Sequence, residues 1–235
     1  MREASCCDNL TRRSFFGSAT AASAAAALAA VPARAATAER PAFRYCLNTS
    51  TIRGQKLPLE QEVDLVAAAG YDGIEPWVGE IETYVKNGGR LNDLKKRIAD
   101  QGLQVESAIG FARWIVDGDD ERRAGLEQAR RDMDLVRQIG GTRIAAPPAG
   151  ATRDVRVDLL DAAQRYRELL DVGADIGVVP QIEIWGFSAN LSRLGEAVCV
   201  AIESGHDDAC LLPDVYHIYK GGSDFSGLRM VEGTS

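Results

Sequence analysis

Long apolar runs, basic charge and histidine are all scarce in this sequence, and each scarcity excludes a class of function. No apolar run reaches the roughly 20 residues that a bilayer-spanning helix needs. The 235 residues carry 27 Lys and Arg against 34 Asp and Glu, which gives a net charge of -7. This balance argues against a nucleic-acid partner, because phosphate binding requires a basic face. With two histidines, the chain also lacks the ligands of a multi-metal nuclease centre.

The cysteines show no paired spacing. Cys6 and Cys7 lie in an N-terminal segment that we interpret below as a removable signal, which leaves Cys46, Cys199 and Cys210. Because these three do not form a CxxC pair and each lies in an apolar pattern, we predict free, buried thiols. A Cys199–Cys210 disulfide stays open as an alternative in an oxidising compartment.

The N-terminal segment has the pattern of a twin-arginine export signal. Residues 11–16 are TRRSFF, residues 17–31 form an Ala-rich and weakly hydrophobic stretch, and residues 33–35 offer a small-x-small cleavage site. The stretch is too short and too rich in alanine for a stable membrane anchor. We therefore predict a signal peptide over residues 1–35, passage through the twin-arginine export machinery, and a periplasmic or secreted protein.

Nucleotide-binding loops of the GxGxxG and GxxxxGK[ST] types are absent, although the rest of the chain alternates strand and helix patterns. Glycines follow the predicted helices at positions where a C-cap favours a left-handed backbone. They are Gly70, Gly102, Gly140, Gly177 and Gly205. Regular alternation predicts parallel strands, either in an open, doubly wound sheet or in a closed (β/α) barrel.

Polar residues at the ends of separate predicted strands favour the barrel. They are Asn48, Glu75, Glu183 and Asp214, and TIM barrels collect catalytic groups from several strand ends in this way. The predicted fold class is α/β, a (β/α)8 TIM barrel. Only about six βα units are found in the domain at residues 43–235, so we expect an incomplete barrel, either a fragment or a prematurely ended reading frame.

Two carboxylates lie in or directly after strands that we expect to be buried. Glu183 stands between Ile182 and Ile184, so it is expected to point into the barrel, and Asp214 follows the apolar run of the next strand. Because such carboxylates lie close together, they share either a proton or a cation. With imidazole nearby, Mn2+ is the favoured divalent metal, and Mg2+, Co2+ and Zn2+ are alternatives. The structural alternative is a helix-capping Asp214 and a Glu183 bonded to backbone amides.

Other candidate residues surround the same strand ends. His217 is a third metal ligand, a substrate contact or a packing residue, and the sequence pattern alone does not separate these roles. Glu75 ends the second strand and faces the same mouth. Trp77, Trp114 and Trp185 each follow a predicted strand, where they either pack the rim or form an apolar floor for a sugar ring.

Three segments together resemble the sugar phosphate isomerase/epimerase family, the xylose-isomerase-like TIM barrels. They are GYDGIEPW at residues 70–77, QIEIWG at residues 181–186 and LLPDVYHIYKGG at residues 211–222. The resemblance extends from residue 43 to residue 230. It implies a small carbohydrate as the substrate and a divalent metal as the cofactor.

The resemblance also implies roles for single residues. Glu183 and Asp214 would bind the metal, Glu183 would act as the general base, and His217 would bind substrate. From its position at the same mouth, Glu75 is a further candidate for substrate binding. The family completes this site with a His on strand seven and a Glu on strand eight, which the present sequence does not contain. The implied reaction is sugar isomerisation or epimerisation by proton transfer through a metal-stabilised enediolate. Alternatives are a non-catalytic sugar-binding remnant and a dehydratase of the same family.

Overall fold

The computed structural model describes residues 43–153 and 155–231, so the predicted signal peptide lies outside the described residues. The strands are Cys46–Asn48 (β1), Gly73–Glu75 (β2), Gln104–Val105 (β3), Arg143–Ala146 (β4), Val179–Glu183 (β5) and Leu211–Leu212 (β6). The α-helices are Leu59–Ala68 (α1), Val78–Lys86 (α2), Leu91–Asp100 (α3), Asp119–Gln138 (α4), Leu159–Ile176 (α5), Leu194–Glu203 (α6) and Val215–Lys220 (α7). Within the described ranges, none of these helices combines the length and apolarity required to cross a membrane.

The described strands pair in parallel, as their alternation with helices predicts. β1, β2 and β3 form one three-stranded sheet in that order, and β4, β5 and β6 form a second. Ile109, a few residues beyond β3, joins the two sheets through isolated parallel bridges to Trp77 and Ala145. The six strands therefore form the wall of a partial barrel, which confirms the predicted fold class.

The predicted helix-ending glycines adopt the backbone conformation that their positions require. Gly70, Gly102, Gly140, Gly177 and Gly205 all have positive φ. L side chains rarely adopt this region, whereas glycine enters it without a steric cost. Each of these residues turns the chain away from a helix and back towards the sheet, so the βα rhythm seen in the sequence is present in the fold.

Two apolar clusters fill the space between strands and helices. One packs α1 and α3 against β2, with Val63 and Ile74 among its fully buried residues. The other packs α4, α5 and α6 against β4 and β5 and includes Tyr166 and Ile182. The Tyr166 hydroxyl donates a hydrogen bond of 2.7 Å to the Pro180 carbonyl oxygen. Burial of these side chains drives folding and fixes the positions of the strand ends.

Two helices are missed by the sequence patterns. α2 follows β2 within three residues and buries Val78 and Ile81. α7 begins directly after Asp214 and buries Ile218. These helices have nine and six residues, so they contain too few turns for a clear 3.6-residue periodicity.

The cysteines correct one prediction. All three described thiols are free, so the Cys199–Cys210 disulfide is not formed. Cys199 and Cys210 are partly buried, whereas Cys46 is exposed. The expectation of a buried thiol is therefore wrong for Cys46, because among the described residues β1 lies at the edge of its sheet and has β2 as its one paired neighbour.

Candidate active site

Strand β5 turns Glu183 away from the helices. Its neighbours Ile182 and Ile184 have no exposed surface and belong to the apolar cluster that packs against α4, α5 and α6. Because successive side chains of a strand point to opposite faces, Glu183 lies on the barrel side, where 8% of its surface is exposed. This orientation confirms the one inferred from the sequence.

Asp214 lies two residues beyond β6 and begins α7. Its Oδ1 accepts a hydrogen bond of 2.8 Å from the backbone N–H of His217, so Asp214 is the N-cap of the helix. The capping role that the sequence left open is therefore present. The same turn of helix brings the imidazole of His217 next to the carboxylate of Asp214, because residues three apart share a helix face.

Glu183, Asp214 and His217 converge at the carboxyl ends of β5 and β6. Each offers one ligand atom, and these atoms all lie within 4.8 Å of one another. Glu183 Oε2 and His217 Nδ1 are buried and have no hydrogen-bond partner among the described residues. Leaving such atoms unpaired is costly, and a shared cation would satisfy both. Two carboxylates and one imidazole suit a divalent metal such as Mn2+, Co2+ or Zn2+.

Burial dominates the ionisation of this cluster. It raises the pKa of Glu183 from 4.5 to about 7; a hydrogen bond from Trp185 opposes this change, and the charges of Asp214 and Glu75 add to it. Burial also lowers the pKa of His217, against the opposing effect of Asp214. The imidazole is therefore neutral near pH 7, which is the form that binds metals.

Glu75 ends β2 and lies near the same cluster. Its Oε2 accepts a hydrogen bond of 2.8 Å from Asn48 Nδ2. Burial raises the pKa of Glu75; hydrogen bonds from Asn48 and Ser107 oppose the shift, and the charge of Asp214 adds to it. The charge of Asp214 therefore acts on Glu75. Glu75 is not one of the three residues whose ligand atoms lie within 4.8 Å of one another.

The three tryptophans divide between the mouth and the core. Trp114 is 1% exposed and donates a hydrogen bond of 2.8 Å to a backbone carbonyl, so it is a core residue. Trp77 Nε1 donates to Asn48 Oδ1 at 3.2 Å, and Trp185 lies at the mouth, two residues beyond the end of β5. An apolar floor at the mouth therefore involves Trp77 and Trp185 but not Trp114.

Phe111 and Phe187 are among the aromatic residues of the mouth that sequence reasoning missed. The ring centroid of Phe111 lies 5.0 Å from that of Trp77 and 6.1 Å from that of Trp185. The ring centroid of Phe187 lies 5.1 Å from that of Trp185. Both residues come within a few positions of a strand end, as Trp77 does, and that placement is the signal that could have identified them.

The loop after β5 packs closely against α7. A Cβ at Gly186 would overlap the backbone carbonyl oxygen of His217 and lie 2.5 Å from the backbone nitrogen of Gly221. A Cβ at Gly221 would in turn overlap the carbonyl oxygen of Ser192. Only glycine allows backbones to approach this closely. The position of His217 relative to Glu183 therefore depends on backbone packing between this loop and α7.

The fold is a partial parallel barrel, and carboxylates and an imidazole lie at its strand ends. These two features define the class of protein as a TIM barrel with a candidate metal centre. The sequence model of the family described as xylose isomerase-like TIM barrel matches residues 63–232. This chain belongs to that family, as the resemblance of its three segments predicted.

Individual proteins show the same relationship. The 3-dehydro-D-guloside 4-epimerase of Escherichia coli (strain K12) is 26% identical over 164 residues, which cover 63% of this chain and 60% of that protein. A crystal structure of the IOLI protein with a bound zinc atom has a TM-score of 0.71 at 18% identity, covering 80% of this chain and 68% of that one. D-psicose 3-epimerase in the presence of D-fructose has a TM-score of 0.68 at 17% identity, covering 81% and 70%. The chain thus spans 60% of the length of the curated relative.

Proposed function

We propose that this protein is a metal-dependent sugar isomerase or epimerase. The observation that carries the proposal is the convergence of Glu183, Asp214 and His217, with two orphaned buried atoms among them. Relatives support the reaction class, since one is a 3-dehydro-D-guloside 4-epimerase and another a D-psicose 3-epimerase. The substrate proposed for this chain is accordingly a small carbohydrate that contains a carbonyl group.

Glu183, Asp214 and His217 would hold a divalent cation, with Mn2+ as the first candidate. Carboxylate oxygens and a neutral imidazole match the ligand preferences of this metal, and the IOLI protein was crystallised with zinc. When bound, the cation acts as a Lewis acid that stabilises negative charge on the oxygens of an enediolate. The capping bond from the His217 N–H uses Asp214 Oδ1, so the second oxygen is the one available as a ligand.

Glu183 is the proposed general base. Its carboxylate removes the proton from the carbon next to the carbonyl, which leaves the electron pair in the enediolate, and then returns the proton to carbon. Transfer to the neighbouring carbon on the same face, with the hydroxyl proton passing from one enediolate oxygen to the other, is an isomerisation and needs no second acid at carbon. Inversion at one carbon is an epimerisation and needs a second acid on the opposite face. His217 and Glu75 would bind substrate hydroxyls and hold the reacting carbon beside Glu183.

Hydrogen exchange at carbon tests this proposal. The full chain, loaded with Mn2+, is incubated in deuterated water with a panel of ketoses and keto-glycosides, and deuterium incorporation is followed by NMR. Exchange at a carbon next to a carbonyl is expected with the parent protein and is expected to be lost with Glu183→Gln. The matched control is Glu203→Gln, the same change at the exposed end of α6. Exchange that persists in Glu183→Gln would exclude Glu183 as the base.

The same experiment addresses a non-catalytic sugar-binding protein. Such a protein would bind members of the panel without exchanging hydrogen in any of them. Loss of water instead of exchange, seen as a dehydrated product, would indicate the dehydratase alternative. Either result would contradict isomerisation or epimerisation by this chain.

A further inference from the structure

A continuous row of aromatic rings lies along the barrel mouth. Neighbouring ring centroids are 5.0–6.1 Å apart, which is the spacing of aromatic rings in contact. All members follow the carboxyl ends of strands, so they lie on the side of the barrel that bears Glu183. In spatial order, this aromatic row consists of Trp77, Phe111, Trp185, Phe187, His217 and Tyr216.

Half of the aromatic row remains open to solvent. Phe111, Phe187 and Tyr216 are 37%, 52% and 59% exposed. These three side chains are too exposed to be core residues. The aromatic pair that does belong to the core, Trp114 and Tyr166, is almost completely buried. Exposed aromatic side chains beside a polar site mark a ligand-binding surface.

The aromatic row adjoins the ionisable groups of the mouth at three places. Trp77 donates to Asn48, which donates in turn to Glu75. Trp185 lies two residues beyond Glu183, the last residue of β5, and the ring of His217 belongs both to the row and to the candidate metal cluster. A sugar held beside Glu183 would therefore lie near Trp185 and His217, and the exposed surfaces of Phe187 and Tyr216 would lie beside it.

Two cations lie over rings of the row. The guanidinium of Arg53 lies 5.9 Å from the ring centroid of Trp77. The ammonium of Lys220 lies 5.8 Å from the ring centroid of Phe187 and 5.5 Å from that of Tyr216. A pyranose has an apolar C–H face and a rim of hydroxyl groups, so it can use ring faces and these donors together. An aryl group can use the ring faces alone.

We infer that Phe187 and Tyr216, the two exposed rings of the row that share Lys220, bind a second sugar ring, so that the substrate is a glycoside of disaccharide size. This inference rests on the proposed function, because the row is interpreted relative to a sugar at Glu183. It adds a class of substrate that the cluster of Glu183, Asp214 and His217 alone does not specify. Phe187 is its central residue, since it contacts both Trp185 and His217 and lies under Lys220.

Binding of unreactive probes tests the inference separately from catalysis. Isothermal titration calorimetry of the Mn2+-loaded full chain compares methyl β-D-glucoside, cellobiose and 4-nitrophenyl β-D-glucoside. Cellobiose is expected to bind at least tenfold more tightly than the methyl glucoside, and Phe187→Ala is expected to reduce that preference to about threefold or less. The control is Tyr71→Ala. Tyr71 is an exposed aromatic residue that precedes β2, at the end of the barrel away from the mouth. This variant should preserve the tenfold preference.

Three results would overturn the inference. They are equal affinities for cellobiose and the methyl glucoside, no measurable binding of any probe, and tighter binding of the nitrophenyl glucoside, which would indicate an aryl site. None of these results depends on hydrogen exchange. A protein that exchanges hydrogen in free ketoses but shows no preference for cellobiose would retain the proposed function and lose this inference. The reverse result would retain the second-ring site and lose the catalytic proposal.

Discussion

Asp214 and His217 are linked through both the backbone and the candidate metal cluster. Asp214 Oδ1 accepts the backbone N–H of His217 at 2.8 Å, and ligand atoms of both side chains lie within 4.8 Å of each other and of Glu183. The hydrogen bond that starts α7 therefore also positions the imidazole. Helix capping and metal binding, which are alternatives when only the sequence is considered, are compatible here because a carboxylate has two oxygens.

Asp214→Asn separates these two roles. Asparagine is as good an N-cap as aspartate, so α7 should persist, while the loss of an anionic ligand should weaken Mn2+ binding at least tenfold. Calorimetric titration with Mn2+ measures the affinity. The control is Asp224→Asn, the same change at the N-cap of the exposed 3-10 turn Phe225–Met230. Equal Mn2+ affinities for Asp214→Asn and the parent would remove Asp214 from the ligand set.

Gly186→Ala should damage both stability and the candidate site. Its Cβ would overlap the His217 carbonyl oxygen, so either the loop or α7 must move. We expect the free energy of unfolding in urea to fall by about 1–3 kcal/mol and Mn2+ affinity to fall with it. Gly195→Ala is the matched control, because its Cβ would meet nothing within 4 Å and alanine favours the helix by up to about 1 kcal/mol. A Gly186→Ala protein as stable as the parent would show that this close packing is not required.

Glu62 makes stability depend on pH. It is 2% exposed, and its Oε2 has no partner among the described residues. Burial, followed by the charge of Glu80, raises its pKa from 4.5 to about 7. The folded protein therefore binds more protons than the unfolded chain between these values. This contribution to stability is complete below about pH 4.5 and is lost as the pH rises through about 7.

Glu62→Gln should remove that dependence. At pH 8 the variant is expected to exceed the parent by about 1–2 kcal/mol in the free energy of unfolding, and at pH 4.5 the two should be equal. Urea titrations at both pH values measure the difference. The control is Glu60→Gln, the same change two residues earlier on the same helix, where the side chain is partly exposed. A parent that gains stability between pH 5 and 8 relative to Glu62→Gln would contradict the assignment.

Export is a prediction from the sequence alone. Replacing Arg12 and Arg13 by lysine keeps the charge but removes the twin-arginine pair, so the full chain should remain in the cytoplasmic fraction. The parent should reach the periplasmic fraction with a new N-terminus near residue 36, as measured by mass spectrometry. Arg34→Lys, outside the pair, should still be exported. Equal export of the double variant and the parent would exclude the twin-arginine route.

The repeated βα units were predictable because their signals are local. β1, β2 and β5 end at Asn48, Glu75 and Glu183, which are residues that the sequence pattern places at strand ends, and the burial of Ile182 and Ile184 follows from strand alternation. β3 pairs regularly only over Gln104–Val105. Beyond that point Ile109 forms isolated bridges to two different neighbours, which depends on the curvature of the wall and not on local composition.

The site was predictable in part for the same reason. Neighbouring strands place Glu183 and Asp214 close together, and that follows from strand order. The direction of the His217 side chain depends instead on where α7 begins and on the contact of Gly186 with α7, which joins segments distant in sequence. Phe111 and Phe187 lie at the mouth because the loops that carry them fold over the strand ends, and a local sequence pattern does not specify the path of a loop.

The two sheets meet at the mouth through one short connection. Ile109 alone bridges them within the described residues, and Phe111 lies just beyond it. The centroid separation that crosses this seam, 6.1 Å between Phe111 and Trp185, is the longest in the aromatic row. Glu183 and Asp214 both follow strands of the second sheet, in which β5 pairs directly with β6. Their spacing is therefore set within one sheet, whereas the contact between Phe111 and Trp185 depends on how the two sheets meet.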